Sequence, residues 1–380
     1  MALIERIDVF PVRIPVIQTF QFASGSAGQV GHGAPHVFVR VVDSDGVHGW
    51  GEGRPSPGWS SETLETVTTT LRRYVVPALV SLPVTNRRGL HDRMDRVIGG
   101  HPTGQPIARA AVDMAVHDLL ARRLSLPLRA LLGGTTEPVD MEMSFTLTDH
   151  VADDAAATVT AQREQGFRHF NFKVGVEPHT DVEVAAAVRD AAGPQAFVWA
   201  DANQGLTLRD ARRLARAYED IGIDVLEQPL IGDAQHHMRE LRRSTSLPLA
   251  IDEASVSATD FFRHAAEGLV DYLVVKVTRS GGVWPTVAQL AVARSARVGV
   301  IVSGLTDSLL TKLAAAQTTA VYGTDGPLAL NGSQFLDESA LFPDKARVER
   351  EGTVYLDERP GIGVEPDEEG LRALAAEDQP

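Results

Sequence analysis

The stretch Leu208–Asp233, LRDARRLARAYEDIGIDVLEQPLIGD, decides the fold. It reads as a helix followed by a short apolar strand, and the strand ends on an acid. Thr207 and Asp210 have the cap-plus-acid spacing that satisfies the free amides of a first helical turn. Glu227 follows Val225 and Leu226 directly and is followed by Gln228 and Pro229. Burying a carboxylate there is costly unless something positive meets it.

Outward from this stretch the same unit recurs. From about Val139 to about Leu330, candidate strands VDMEMSFTL, FRHFNFKV, AFVWADAN, IDVLEQ, LPLAIDE, DYLVVKV and VGVIVSG alternate with helical segments. Ser257 and Asp260 repeat the helix-start spacing. Apolar strands alternating with helices mean parallel βα units. Seven units, with an eighth strand near Leu328, fit a closed (β/α)8 barrel. A doubly wound sheet is the competitor, but no Gly-x-Gly-x-x-Gly follows an early strand.

The first third is different. IERIDVFPVRIPV and HVFVRVVDSDGVHGWGE read as strands, with Asp43-Ser44-Asp45-Gly46 as a hairpin turn. Between them, residues 19–36 form a Gly/Ser-rich loop, long enough to be functional. Ser60–Leu90 and Ile107–Leu124 read as helices, the second with Ala111, Ala115 and Leu119 on one stripe and Arg109 and Asp113 elsewhere. The expected organisation is an α+β capping domain over residues 1–125, a barrel over 126–340, and a C-terminal return to the cap over 341–380.

Composition narrows the function. With 380 residues, 43% hydrophobic and 23% charged, the chain has ample material for a core. The absence of cysteine excludes disulfides, thiol nucleophiles and thiolate metal sites. A net charge of −14 argues against nucleic acid as a partner. No apolar run approaches a membrane span, and the N-terminus lacks a signal-peptide pattern. The default is a soluble cytoplasmic protein acting on a small molecule; a homo-oligomer is also expected, though composition does not show it.

Polar residues mark the strand ends. Lys173, Asp201, Glu227, Asp252, Lys276 and Asp307 follow one another at intervals of 28, 26, 25, 24 and 31 residues, each about one βα unit. Such residues converge on the C-terminal face of a parallel barrel. Asp201, Glu227 and Asp252 would bring three carboxylates to one point, and all-oxygen ligation suits Mg2+, or Mn2+ in its place. Lys173 and Lys276 flank those three strands. A lysine beside a divalent cation in a partly dry site can serve as a base near neutrality. The α-proton of a carboxylate held there is acidified, because enolate charge develops beside the cation.

These residues resemble the enolase superfamily, in its muconate-lactonizing-enzyme and mandelate-racemase-like branches with lysine acid/bases. VFVRVVDSDGVHGWGE is similar to the capping hairpin, and ARAAVDMAVHDLLARRLSLPLRALLGG to the helix leading into the barrel. FNFKVG, WADANQGL, LEQPL, LAIDEAS and VVKVTRSGG are similar, in order, to five barrel motifs. GTVYLDERPGIGVEPDEEGL resembles the C-terminal return. The resemblance implies Mg2+ on Asp201, Glu227 and Asp252, Lys173 and Lys276 as the acid/base pair, and residues 19–36 and 51–60 closing over substrate. Asn171 stands where these relatives usually carry the first lysine of Lys-x-Lys; it can donate a hydrogen bond but supplies no charge. Asp307 stands where a glutamate is common. The expected substrate contacts are Asn171, Asn203, Asp307, Arg54, Trp59 and Phe20. His169 reads as structural, and Gly281-Gly282 as a turn.

The expected chemistry is abstraction of a carboxylate's α-proton, with racemisation or epimerisation of an amino-acid-like acid as the simplest outcome. VKVTRSGG, with Arg279, and RMDRVIGGHPTGQ are similar to members acting on proline derivatives. Cycloisomerisation and dehydration use the same enolate, and a metal- and carboxylate-binding barrel without turnover is the reading of another class. Loop 19–36 offers Phe20 and Phe22 but no Lys, Arg, Asp or Glu. That disfavours a sugar diacid, whose distal groups would need polar partners.

Overall fold

The computed structural model describes residues 1–376 except 24, 27, 101–103 and 351. Ser24 and Ala27 of the long loop, 101–103 of RMDRVIGGHPTGQ, and Glu351 and 377–380 of the C-terminal return therefore lie outside the described residues.

Three strands, β1 (Ile4–Ile14), β2 (Ala34–Asp43) and β3 (His48–Gly53), form an antiparallel sheet. The β2–β3 turn is the expected one: Asp43 Oδ1 accepts from the amides of Asp45 and Val47, both at 3.0 Å. The Pro106–Arg123 helix crosses β3 at glycine distance. A Cβ on Gly51 would stand 2.0 Å from the Ala111 carbonyl oxygen, and one on Gly49 would stand 2.2 Å from the Leu119 nitrogen. The Ala111–Ala115–Leu119 stripe is thus the packed face. The Arg109 and Asp113 side of this helix is buried as well.

The expected Ser60–Leu90 helix is broken. Leu64–Thr70 passes through a π-helical turn, Leu71–Val75, into Val76–Leu79, and a separate helix runs Arg87–Ile98. Pro77 has no N–H for the ladder, a cost that periodicity does not reveal.

Eight parallel strands follow in chain order: β4 (Ser144–Leu147), β5 (His169–Lys173), β6 (Val198–Asp201), β7 (Val225–Glu227), β8 (Leu249–Ile251), β9 (Tyr272–Val275), β10 (Gly299–Ser303) and β11 (Leu328–Ala329). A parallel bridge between Met143 and Leu328 links the last strand back to the first, closing the barrel. The expected single strand VDMEMSFTL is two elements. Only Ser144–Leu147 joins the barrel; Val139–Glu142 pairs antiparallel with Thr353–Leu356. The chain end then reaches the cap, where Ala375 bridges Val12. Both expected helix starts are present, with Thr207 and Ser257 accepting from the amides of Asp210 and Asp260. Among the described residues no helix is long and apolar enough to cross a membrane.

The inside of the barrel follows from a period of two. Trp199, Val225, Ala250 and Val274 cluster on the inner face. Two residues further along each strand come Asp201, Glu227, Asp252 and Lys276, so these four are carried to the same inner side at the C-terminal mouth. Asn171 and Lys173 bear the same relation on β5.

Candidate active site

The strand ends place six charged side chains in one buried ring. Lys173 Nζ donates to Asp201 Oδ2 at 2.5 Å, and Lys276 Nζ donates to Asp252 Oδ2 at 2.7 Å. Arg279 binds Asp252 twice, at its backbone oxygen (2.9 Å) and at Oδ1. Register pairs Asp201 with Glu227 across β6 and β7, so Glu227 stands between the two lysine–aspartate pairs. Its Oε2 accepts from the Trp199 indole N–H at 2.8 Å. Among the described residues no lysine or arginine lies within ion-pair distance of Glu227.

Burial, and then repulsion from Asp201 and Asp252, push the Glu227 carboxyl well above the usual carboxylate range, against the pull of Lys173 and Lys276. Burial would also raise Asp252, but Arg279 and Lys276 outweigh it and hold that carboxyl low. Burial disfavours the Lys173 ammonium, yet Asp201 and Glu227 more than compensate and raise its pKa. Each lysine thus makes an ion pair with a strand-end carboxylate, a pairing that spacing alone does not give. Among the described residues no three acidic or imidazole groups are closed around an ion position, since Asp201 and Asp252 are each drawn to a lysine.

The donor set nonetheless fits a hard cation. Glu227 is a buried acid with no cationic partner, flanked by two further carboxylates, and all three offer oxygen. The acid next to Asp252 adds to this charge. Glu253 is pushed up to about 7 by burial and by Asp252 and Asp201. Asn203 donates to Glu253 Oε1 at 3.0 Å, leaving Asn203 Oδ1 and Glu253 Oε2 buried without partners.

Asn171 is oriented by hydroxyls. Thr146 Oγ1 accepts from the Asn331 amide (3.2 Å) and so gives its own proton to Asn171 Oδ1 (2.9 Å), with Ser144 Oγ at 3.1 Å. The Asn171 carbonyl is thereby occupied, which leaves its NH2 as the group free to act as a donor.

Aromatic rings cover the ring of charge. Phe20 lies 5.1 Å from Lys173 Nζ, and Trp59 lies 5.3 Å from Lys276 Nζ, measured to ring centroids. Phe22 stacks on Trp59 at 4.2 Å, and Phe335 packs on Phe20 at 4.7 Å. Residues 19–23 therefore lie over the strand C-termini, where Ala23 also approaches Gly175 and Gly205. Trp59 Nε1 is buried with no hydrogen-bond partner among the described residues.

Two further expected contacts are both tied to the protein itself. Arg54 is buried and spends its donors on the carbonyls of Pro35, Pro55 and Thr306 and on Thr306 Oγ1. Asp307 is held by the Thr278 hydroxyl (2.9 Å) and the Leu305 amide (2.8 Å) and is pushed up to about 6 by burial and by Glu52. His169 is structural, accepting from the Phe197 amide at 3.0 Å. Sequence reasoning missed Trp199, Glu253 and Thr278 around the ring. Trp199 was within reach, since it precedes Asp201 by two on one strand face; the other two give no local signal.

Two family models match this chain: residues 7–133 match the mandelate racemase/muconate lactonizing enzyme N-terminal domain, and residues 153–370 the enolase C-terminal domain-like family. The chain is 29% identical to N-succinyl-L-Arg/Lys racemase of Bacillus cereus, over 98% of this chain and 97% of that one. It is 29% identical to muconate cycloisomerase 1 of Rhodococcus opacus, over 93% of each. The crystal structure of the Bacillus cereus racemase superposes with a TM-score of 0.90, covering 98% of both chains.

Proposed function

We propose, from the premise that the chain belongs to the mandelate racemase/muconate lactonizing enzyme family and is an isomerase of the enolase superfamily, that it racemises or epimerises an amino-acid-like carboxylate with the help of Mg2+. The observation that carries this reading is the pair of lysines, Lys173 and Lys276, on either side of three carboxylates at one barrel mouth.

Asp201, Glu227 and Asp252 would hold the Mg2+, for which Mn2+ could substitute. When bound, it supplies positive charge beside the carboxylate whose negative charge grows during proton removal. The chain's own residues do the rest. With Asp201 and Asp252 engaged in holding that ion, Lys173 and Lys276 would no longer serve as their counter-ions, and one could lose its proton to solvent. That lysine, as the neutral amine, would take the α-proton on Nζ, and the other, as the ammonium, would give its own proton to the opposite face, inverting the centre. Asn171 donates through its NH2 to a carboxylate oxygen of the substrate. The aromatic cover limits water at the reacting carbon during proton transfer, and the lysine protons exchange with solvent between turnovers.

The cover also supports the substrate class. Phe20, Phe22, Trp59 and Phe335 present no charge, and Arg54 and Arg279 are engaged by the protein itself. A second carboxylate at the distal end, as in a muconate or a sugar diacid, would lie against aromatic rings with no cation to meet it. A compact amino-acid derivative, proline-type acids included, meets those rings well. The racemase among the relatives acts, by its name, on an N-succinyl amino acid, whose succinyl arm carries a second carboxylate, so that relative supports the racemase chemistry and not the uncharged distal end. Incubation with Mg2+ in deuterium oxide across a panel of free, N-acylated and cyclic amino acids, muconate and hexarates tests the reading. Deuterium should enter Cα of an amino-acid derivative with loss of optical rotation. Turnover confined to muconate or hexarates would replace it with cycloisomerisation or dehydration.

A further inference from the structure

Away from the ring of charge, a fully buried polar network joins the cap to one barrel loop. Glu52, near the end of β3, is wholly buried. Its Oε1 accepts from His36 Nδ1 at 2.6 Å and from the Ser308 amide at 3.0 Å. Its Oε2 accepts from Ser308 Oγ (2.6 Å), Thr311 Oγ1 (2.7 Å) and the Thr311 amide (3.2 Å). A cap residue thus closes the N-terminus of the barrel helix Leu309–Ala320, where a negative charge is favoured. Burial lowers the His36 pKa to about 4, so the ring is neutral and gives Glu52 its Nδ1 proton.

Two residues further on, Arg54 grips the same loop from the other side. It holds Thr306 by carbonyl (3.4 Å) and hydroxyl (3.2 Å). Thr306 has φ +58°, a left-handed conformation that a β-branched residue adopts only under constraint. Asp307 lies between the two gripped residues, and its backbone is wedged from a third side: a Cβ on Gly332 would stand 1.9 Å from the Asp307 carbonyl oxygen.

We propose that Glu52 and Arg54 are positioning residues, through which the cap fixes the strained 304–311 loop and so sets the Asp307 carboxylate at the barrel mouth. The proposal rests on the reading of Asp307 as a residue of the substrate pocket, and is independent of which proton transfer occurs there. A cap that merely covered the site would need none of these bonds. This network makes the geometry of a barrel residue depend on the cap being seated. The charged groups facing Asp307 are Glu52 and Arg54 from the cap, with His36 behind Glu52.

The test uses the full-length protein in three variants, Glu52→Gln, Arg54→Lys and Ser308→Ala. Crystal structures read the Thr306 φ and the Asp307–Thr278 distance, and 13C NMR on aspartate-labelled protein reads the Asp307 titration, its resonance identified with Asp307→Asn. Glu52→Gln should release Thr306 from the left-handed region, break the 2.9 Å Thr278 bond and displace the Asp307 midpoint, which loss of that bond raises and loss of the Glu52 charge lowers. Ser308→Ala removes one donor only, so it should fold even where Glu52→Gln does not; it should displace Asp307 in the same direction, with Ser308→Thr restoring it. With the carboxylate found by the deuterium panel, KM should rise about tenfold while kcat falls less. Folded variants that lose thermal stability but keep the Asp307 position and midpoint would overturn the proposal. Asp307 moving in protein that exchanges no deuterium into any carboxylate would instead sink the proposed function and leave the positioning role standing.

Discussion

Lys276 Nζ lies 2.7 Å from Asp252 Oδ2, so a base candidate and a metal-ligand candidate are paired, with Arg279 on the other carboxylate oxygen. The same pairing joins Lys173 to Asp201. A cation entering the ring competes with the two ammoniums for the same oxygens. Lys276→Met should therefore bind Mg2+ more tightly than the parent in calorimetric titration without substrate. Without Mg2+ the variant should lose some stability, less than a stranded charge would cost because Arg279 still meets Asp252, and Mg2+ should recover most of that loss. Equal or weaker Mg2+ affinity in the variant would mean that the lysine does not compete for the site.

Glu227 gives a prediction of opposite sign. Its folded pKa stands well above its ordinary value, so the stability it contributes is full at acid pH and is lost as pH rises through the folded value. Removing the charge should relieve the metal-free protein. With chelator at pH 8, Glu227→Gln should melt above the parent, and the gap should close toward pH 4. Mg2+ at 100 times its dissociation constant should stabilise the parent by about 2.7 kcal/mol and the variant hardly at all. A parent that melts identically with and without Mg2+ would count against Glu227 as a ligand.

If the two lysines serve opposite faces, each single substitution should leave half a reaction. Lys173→Ala and Lys276→Ala should each lose racemisation by about 1,000-fold or more. Each should still exchange the α-deuterium of one enantiomer, and a different one in each variant. Loss of exchange from both enantiomers in either variant would point to a single base.

Much of this site was legible because a parallel barrel writes its mouth at regular intervals. Lys173, Asp201, Glu227, Asp252 and Lys276 each end an apolar strand, and period two carries the four from Asp201 to Lys276 to the inner side. The pairing of Lys173 with Asp201 is a contact between neighbouring strands, and spacing alone does not say which carboxylate a lysine chooses. Arg54 had no local signal at all, since its partner Thr306 lies 252 residues away. The Ser60–Leu90 segment misled for another reason, because apolar periodicity persists across a π turn that changes the hydrogen bonding and not the pattern. VDMEMSFTL reads as one strand because both halves are extended; only the distant Thr353–Leu356 decides which sheet takes the first half.

Asp307 should cost stability where it serves function. Burial and Glu52 hold its folded pKa at about 6, above its ordinary value. The group therefore penalises the fold progressively as pH rises through that value, and not at pH below its unfolded range. Asp307→Asn should melt a few degrees above the parent at pH 8 and level with it near pH 3.5, while losing turnover at both. Equal melting at pH 8 would show that the buried carboxyl is already compensated.

Trp59 unites the lid with the chemistry. Its ring meets the Lys276 ammonium at 5.3 Å, and its indole N–H is buried with no acceptor among the described residues. A buried donor left unpaired costs about 1–3 kcal/mol, a cost that a substrate oxygen would repay on binding. Trp59→Phe keeps an aromatic face over Lys276 but deletes that donor. It should raise KM about tenfold, with kcat within a few-fold of the parent. Trp59→Ala removes the ring as well, admits water to the lysine, and should lower kcat in addition. If the two variants behave alike, the indole N–H is not a substrate contact and the ring alone accounts for the role of Trp59.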